Sequence, residues 1–310
     1  MSRNYGIGTR DIAHAGRMLL AAAAARGDCA FATVDVVSDR WQLFTQYAKG
    51  QGIGRMERVT PALVCGYGTR LAERVRSGEM SPAYAQNLVS AVNTVMRLVC
   101  AWRAVSPTKD CAIPFRTTVR KQMPASLDQT VFQAAVLDMQ HRGLARQAAV
   151  ASLARALGLR SMEASLLDAR AALQQAQTYG CVHVVDGTKG GRARKVPVGQ
   201  DRQHMALVTA AALQDGCQSM VPGRLTWIQW RNGGLRDGRE ILKRHGMTGY
   251  HDLRAAYACD RYEVLTRHAA PVCRQSLRPE DVDDLVARQA ISQELGHDRV
   301  AVVAAYIGAR

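Results

Sequence analysis

The sequence predicts a mainly α-helical protein with one small antiparallel β-sheet, arranged as a helical N-terminal unit followed by a mixed α/β domain. Apolar residues recur at three- and four-residue steps through most of the chain, as the buried stripe of an amphipathic helix requires. The period changes once, near 181–198, where "CVHVVDG" and "RARKVPVG" flank "TKGG" in the manner of two short strands joined by a turn. The pattern lapses between 106 and 128, where prolines and basic residues interrupt any regular element. The expected boundaries are therefore a helical unit over 1–110, a basic linker over 111–128 and a mixed domain over 129–310.

Taken in order, residues 10–26 and 33–49 read as helices, the second stopped by Gly50 and Gly52. Thr60–Pro61 and Ser81–Pro82 each pair a capping hydroxyl with proline at the first helical position, so helices begin there. In the second of them Leu88, Val92, Val95, Met96 and Val99 share one face. The linker either lies along a phosphate backbone or is simply solvated. Beyond it, 129–143, 144–158 and 160–176 read as three helices, then the hairpin, then helices again. Trp227 and Trp230 read as core. Near the end, Gly296 is suited to a left-handed helix stop and Asp298 to the next cap, with Val302, Val303 and Tyr306 on one face.

A chain of 310 residues, 47% hydrophobic and 22% charged, has the length and composition for two globular domains. Its 41 Lys+Arg against 26 Asp+Glu give a formal net charge of +15, which favours a polyanionic partner, nucleic acid being the commonest. The eight cysteines, Cys29, Cys65, Cys100, Cys111, Cys181, Cys217, Cys259 and Cys273, form no CxxC pair. That argues against a zinc ribbon and for reduced thiols in the cytoplasm. The alanine-rich stretch at 17–32 is short and begins after a polar segment, so it reads as a helix rather than a secretory leader. No apolar run approaches the ~20 residues of a membrane span.

Four stretches of the second half stand together: "ALGLRSMEASLL", "VVDGTKGGRARKVPV", "GYHDLRAAYA" and "LGHDRVAVVAAY". They supply Arg160, Lys189, His251, Arg254, His297 and Tyr306. Singly, each has a plain reading: a solvated arginine, a hairpin-tip charge, a surface pair one helical turn apart, a helix-end histidine or a core tyrosine. In this order, with His297 and Tyr306 nine residues apart, the set resembles the tyrosine recombinase (phage integrase) family. The resemblance covers roughly residues 130–310. It implies a helical core-binding domain, of which the first third carries no motif, and a mixed α/β tyrosine-recombinase catalytic domain clamping duplex DNA.

The residue types suit the chemistry that the family implies. A phenol titrating at about 10 is a poor nucleophile until its proton is taken. Charge gathers on the nonbridging phosphate oxygens in the transition state, and a guanidinium fork meets it. By the resemblance, Arg160 and Arg254 hold the phosphate, His251 takes the proton of Tyr306, Lys189 protonates the leaving 5′ oxygen and His297 donates to the phosphate. Glu163 either orients Arg160 or forms a solvated pair with it. Exchange of one phosphoester for another needs no ATP, and the chain has no P-loop or carboxylate cluster, so neither cofactor nor metal is expected. Tyr257 and Tyr262 lack the spacing from the glycine-histidine turn and read as packing or DNA-contact residues.

The expected activity is site-specific cutting and rejoining of DNA through a 3′-phosphotyrosyl link, in the integration or excision of a mobile element. Expected partners are double-stranded DNA, further copies forming a tetramer on synapsed DNA, and an accessory DNA-bending or directionality factor. No membrane is expected, and the location is cytoplasmic, bacterial and nucleoid-associated. The rival readings are type IB topoisomerase-like relaxation and a non-cutting DNA-binding regulator on the same scaffold. Only Ile307–Arg310 follow Tyr306, so subunit docking is expected from elsewhere or from a short tail, and residues 1–30 resemble no arm-type DNA-binding domain.

Overall fold

A computed structural model describes residues 3–273 and 279–310. The chain divides into two compact units, Met1–Thr117 and Thr118–Arg310, the division falling inside the proline-containing stretch. No helix among the described residues is long and apolar enough to cross a membrane.

The first unit is built from α1 (Ile12–Ala25), α2 (Phe31–Gly50), α3 (Pro61–Arg76) and α4 (Pro82–Arg97). The caps follow from the sequence: Thr60 accepts from Leu63 N at 3.2 Å and Ser81 from Tyr84 N at 3.2 Å. Each satisfies an orphan helix donor, worth about 1 kcal/mol. The core gathers on Trp41 and Phe44 of α2 with Leu88, Val92, Val95 and Met96 of α4. Trp41 reaches across to α1, donating from Nε1 to the Ile12 carbonyl at 2.9 Å. Gly16 makes that approach feasible, since a Cβ there would sit 2.2 Å from Trp41 Nε1.

The second unit continues with α5 (Gln129–His141), α6 (Ala145–Leu157), α7 (Ser161–Leu166), α8 (Ala169–Tyr179), β1 (Cys181–Val184), β2 (Arg194–Pro197) and α9 (Asp201–Leu213). It ends with α10 (Trp227–Asn232), α11 (Gly234–Arg244), α12 (Tyr250–Thr266), α13 (Asp281–Glu294) and α14 (Ala304–Ile307). α6 is the hub. Its residues 147–151 and 153–157 are all buried, and it packs against α5, α7, α9 and α12. A helix enclosed all round needs small side chains to admit its neighbours, and the alanines of "ARQAAVASLARAL" supply them. β1 and β2 pair antiparallel with Cys181 opposite Pro197 and Val184 opposite Arg194. Val182, Val184 and Val196 face inward, while His183 and Lys195 face solvent.

Two expectations need correcting. The helix expected over 160–176 breaks at Leu167–Asp168, because Asp168 caps a fresh start by accepting from Arg170 N and Ala171 N. The capped break turns α8 toward α9 and β1, which a straight helix would miss. Asp298 caps nothing. It pairs with Arg192, and the chain after it begins with a 3₁₀ turn at Val300–Val303 before α14.

Candidate active site

Arg160 follows Gly158, which ends α6 in the left-handed conformation at φ 63°. A Cβ on Gly158 would lie 2.4 Å from the Tyr257 ring, so the tight turn depends on glycine for space as well as φ. Arg160 itself is extended, at the N-cap of α7, which puts Glu163 one turn ahead of it. Glu163 is fully buried and accepts from Arg160 N and Arg160 Nη1, both at 2.7 Å. It also takes both arms of Arg194, at 2.9 and 2.7 Å. The solvated reading of Glu163 is thereby excluded. Burial opposes the carboxylate charge, but the Arg194 fork, the Arg160 amide and the Arg254 charge outweigh it and hold the carboxyl at about 2.

Arg254 lies on α12 and has no exposure at all. Its Nη1 donates to the Gly158 carbonyl, its Nη2 to the Leu295 carbonyl, and its Nε to Tyr306 Oη at 3.3 Å. Glu163 Oε2 stands 3.7 Å from its Nη1. Burial lowers this guanidinium to about 10, Arg160 pushing the same way and Tyr306 opposing, so it stays charged at neutral pH.

Gly296, at φ +66°, ends the turn after α13, and the His297 amide donates back to the Ser292 carbonyl at 2.8 Å. This fixes the imidazole so that Nε2 stands 3.0 Å from Tyr306 Oη. Burial first, then Arg254 and Arg160, lower His297 to about 4, so the ring is neutral at pH 7. His251, the second residue of α12, puts its ring 5.2 Å from that of Tyr306. The residue keeps an exposed edge, but desolvation of the ring and the charges of Arg254, Arg120 and Arg160 push it below its ordinary 6.5. Tyr306, on α14, is 3% exposed, with its hydroxyl between Arg254 and His297 of its own chain.

The structure thus brings Arg160, Glu163, His251, Arg254, His297 and Tyr306 together. It does not bring in Lys189, which stands exposed in the 3₁₀ turn at the hairpin tip with no side-chain hydrogen bond or ion pair among the described residues. It also joins His297, rather than His251, to the phenol oxygen. Tyr257 and Tyr262 are packing residues: both are buried, bonded to Glu294 Oε2 at 2.8 Å and Asp284 Oδ1 at 2.5 Å. Trp230 is core, as read, and donates to Ser165 Oγ at 3.1 Å, while Trp227 is partly buried.

Two supporting groups escaped the sequence reading. Arg194 is buried on the inward face of β2, and only its alternation with Val196 and Val198 hints at that. Asp252, beside His251, is buried and accepts from Arg120 Nη2 at 2.5 Å, Ser126 N at 3.1 Å and Ser126 Oγ at 2.9 Å. Arg120 also donates its amide to the Ala304 carbonyl at 2.9 Å, tying the start of α12 to α14. The result is two guanidinium groups and two neutral imidazoles around one phenol, a set suited to a phosphodiester and a nucleophile that attacks it.

Residues 115–260 match a protein-family model described as Integrase. No curated protein sequence matches the chain. Among solved structures, the chain is similar to the XerH site-specific recombinase bound to palindromic difH substrate (TM-score 0.58, 13% identity, 96% of this chain and 81% of that one). It is also similar to the Tn1549 transposon integrase in complex with transposon right end DNA (0.57, 11%, 95% and 95%). A third is a lambda integrase tetramer bound to a Holliday junction (0.53, 16%, 92% and 74%). At these identities the likeness is one of fold.

Proposed function

We propose, from the premise that the chain carries an integrase-family catalytic segment within the tyrosine recombinase fold, that it is a site-specific DNA recombinase with Tyr306 as its nucleophile. One observation carries this reading. The Tyr306 hydroxyl bonds a buried, charged arginine and a neutral histidine at once, the two groups a scissile phosphate would claim.

Tyr306 Oη forms a bond to phosphorus while the bond from phosphorus to the 5′ oxygen breaks. Arg160 and Arg254 neutralise the nonbridging oxygens, and His297 turns its Nε2 from the phenol to the phosphate. That leaves His251, neutral and with its ring tilted 52° to that of the phenol at 5.2 Å, to take the tyrosine proton. Lys189 gives a proton to the departing 5′ oxygen. Its freedom at the hairpin tip suits a group that engages only once DNA is present. The products are a 3′-phosphotyrosyl link and a 5′ hydroxyl. Attack by another 5′ hydroxyl reverses the step on a new strand, with one phosphoester exchanged for another. Tyr306 lies in the site formed by its own chain, which supports cleavage in cis.

The excess of basic residues supports binding through the phosphate backbone, falling steeply with salt. Four copies on synapsed DNA, acting in the integration or excision of a mobile element, complete the reading. The test is a nicked suicide duplex drawn from the flanks of the protein's own locus, scored for covalent adducts on a denaturing gel. Wild type should form an adduct and Tyr306→Phe none. Loss of the two hydroxyl bonds, to Arg254 and His297, costs about 2 kcal/mol, so that variant should remain folded. Tight binding without adduct would favour a non-cutting regulator, and sequence-independent relaxation of supercoils would favour a topoisomerase.

A further inference from the structure

We infer that Arg194 is a positioning residue that holds the Arg160 turn and the His297 turn in one frame, so that phosphate and nucleophile are presented in register. The inference rests on the recombinase reading above.

Its geometry is that of a clamp. Nη1 and Nη2 grip the two oxygens of Glu163 at 2.9 and 2.7 Å, and those same oxygens hold Arg160 by its side chain and its amide. The remaining face of the guanidinium is turned to the other turn, with Nε donating to the Glu294 carbonyl at 2.6 Å. That carbonyl immediately precedes Leu295, whose own carbonyl receives Arg254 Nη2. The Arg194 stem lies against the glycine-histidine turn, where a Cβ on Gly296 would stand 3.1 Å from Arg194 Cδ. One side chain from β2 therefore touches the support of Arg160, the end of α13 and the turn that aims His297.

Arg194 is not a third phosphate ligand. Its fork is occupied by Glu163, and the residue is only 9% exposed. Nor is charge alone sufficient for the arrangement. A lysine at this position offers a point charge on a flexible stem, and cannot bridge both carboxylate oxygens and a carbonyl with the geometry of a planar fork. Lysine keeps a positive charge beside the buried Glu163 carboxylate, so this substitution is expected to act on the placement of groups more than on the melting temperature. Misplacing reacting groups by about 1 Å costs on the order of 100-fold in rate.

The test uses the full chain and the suicide duplex, with single-turnover adduct formation, DNA affinity and thermal unfolding measured side by side. Arg194→Lys should fold and bind DNA within roughly threefold of wild type, yet form adduct on the order of 10–100-fold more slowly. Glu163→Gln combined with Arg194→Lys should be no slower than the worse single variant, because both act on the same clamp. An Arg194→Lys rate within twofold of wild type overturns the inference, as does a double variant whose losses multiply. A fall in affinity and melting temperature that accounts for the whole rate loss also overturns it, by making the role structural only. If wild type itself forms no adduct, the recombinase reading fails and this inference with it. Wild-type adduct with an equally fast Arg194→Lys sinks the inference alone.

Discussion

Replacing Glu163 by glutamine should unfold the second unit more readily at neutral pH. The carboxylate is fully buried among three guanidinium groups, bonded to Arg160 and Arg194 and 3.7 Å from Arg254 Nη1. Its carboxyl is held at about 2 against an ordinary 4.5. At about 1.36 kcal/mol per pH unit, that difference corresponds to roughly 3 kcal/mol of stability. Removal of one partner from a buried pair costs about 3–5 kcal/mol, so two routes agree. The amide of glutamine would also aim its own N–H groups at guanidinium donors. A loss of roughly 3 kcal/mol lowers the melting temperature of a unit this size by about 6–12 °C. The sign with pH follows from the lowered carboxyl: its contribution is whole above 4.5 and is lost as pH falls toward about 2. Calorimetry of wild type and Glu163→Gln at pH 7 and through the acid range would measure both. A difference at pH 7 under about 0.5 kcal/mol, or one that does not narrow in acid, would refute the electrostatic argument.

Gly158→Ala should lose both stability and cleavage, since the left-handed backbone and a Cβ 2.4 Å from the Tyr257 ring force apart the turn whose carbonyl holds Arg254. We expect about 1–3 kcal/mol by chemical denaturation, and wild-type stability would show that the turn has slack. Because burial and the neighbouring guanidinium groups push His251 below its ordinary 6.5, the acid limb of the single-turnover cleavage rate should have its midpoint below 6.5. A midpoint above that value would exclude His251 as proton acceptor. Lys189→Ala should slow adduct formation on the order of 100-fold or more while leaving the melting temperature unchanged, because the exposed side chain makes no hydrogen bond or ion pair among the described residues. A slowing accompanied by a fall in melting temperature would contradict that description.

Much of the site was legible because its residues sit at local structural signals. Gly158 and Gly296 end helices, the 181–198 hairpin interrupts a helical period, and the pair His251 and Arg254 spans one helical turn. Each such feature depends on neighbours within a few residues, so it can be read along the chain. Arg194 could not be read in that way. Its partners Glu163 and Glu294 lie 31 and 100 residues away, and an arginine facing the core of a two-stranded hairpin looks like any polar strand residue until the fold supplies a buried carboxylate. Asp252 is similar, its burial set by Arg120 and Ser126 from before α5. The break at Asp168 shows the opposite error, since the sequence carried the capping residue but the periodic pattern ran across it.

By itself, then, the sequence determined the helical class, the hairpin and the basic character, and it singled out the candidate site residues, because periodicity, turn chemistry and charge are local or additive properties. Only the tertiary structure decided that Glu163 is buried rather than solvated, that His297 rather than His251 holds the phenol, and that Lys189 stands apart. Burial and hydrogen-bond partnership are set by which distant segments pack together, and no spacing along the chain encodes that.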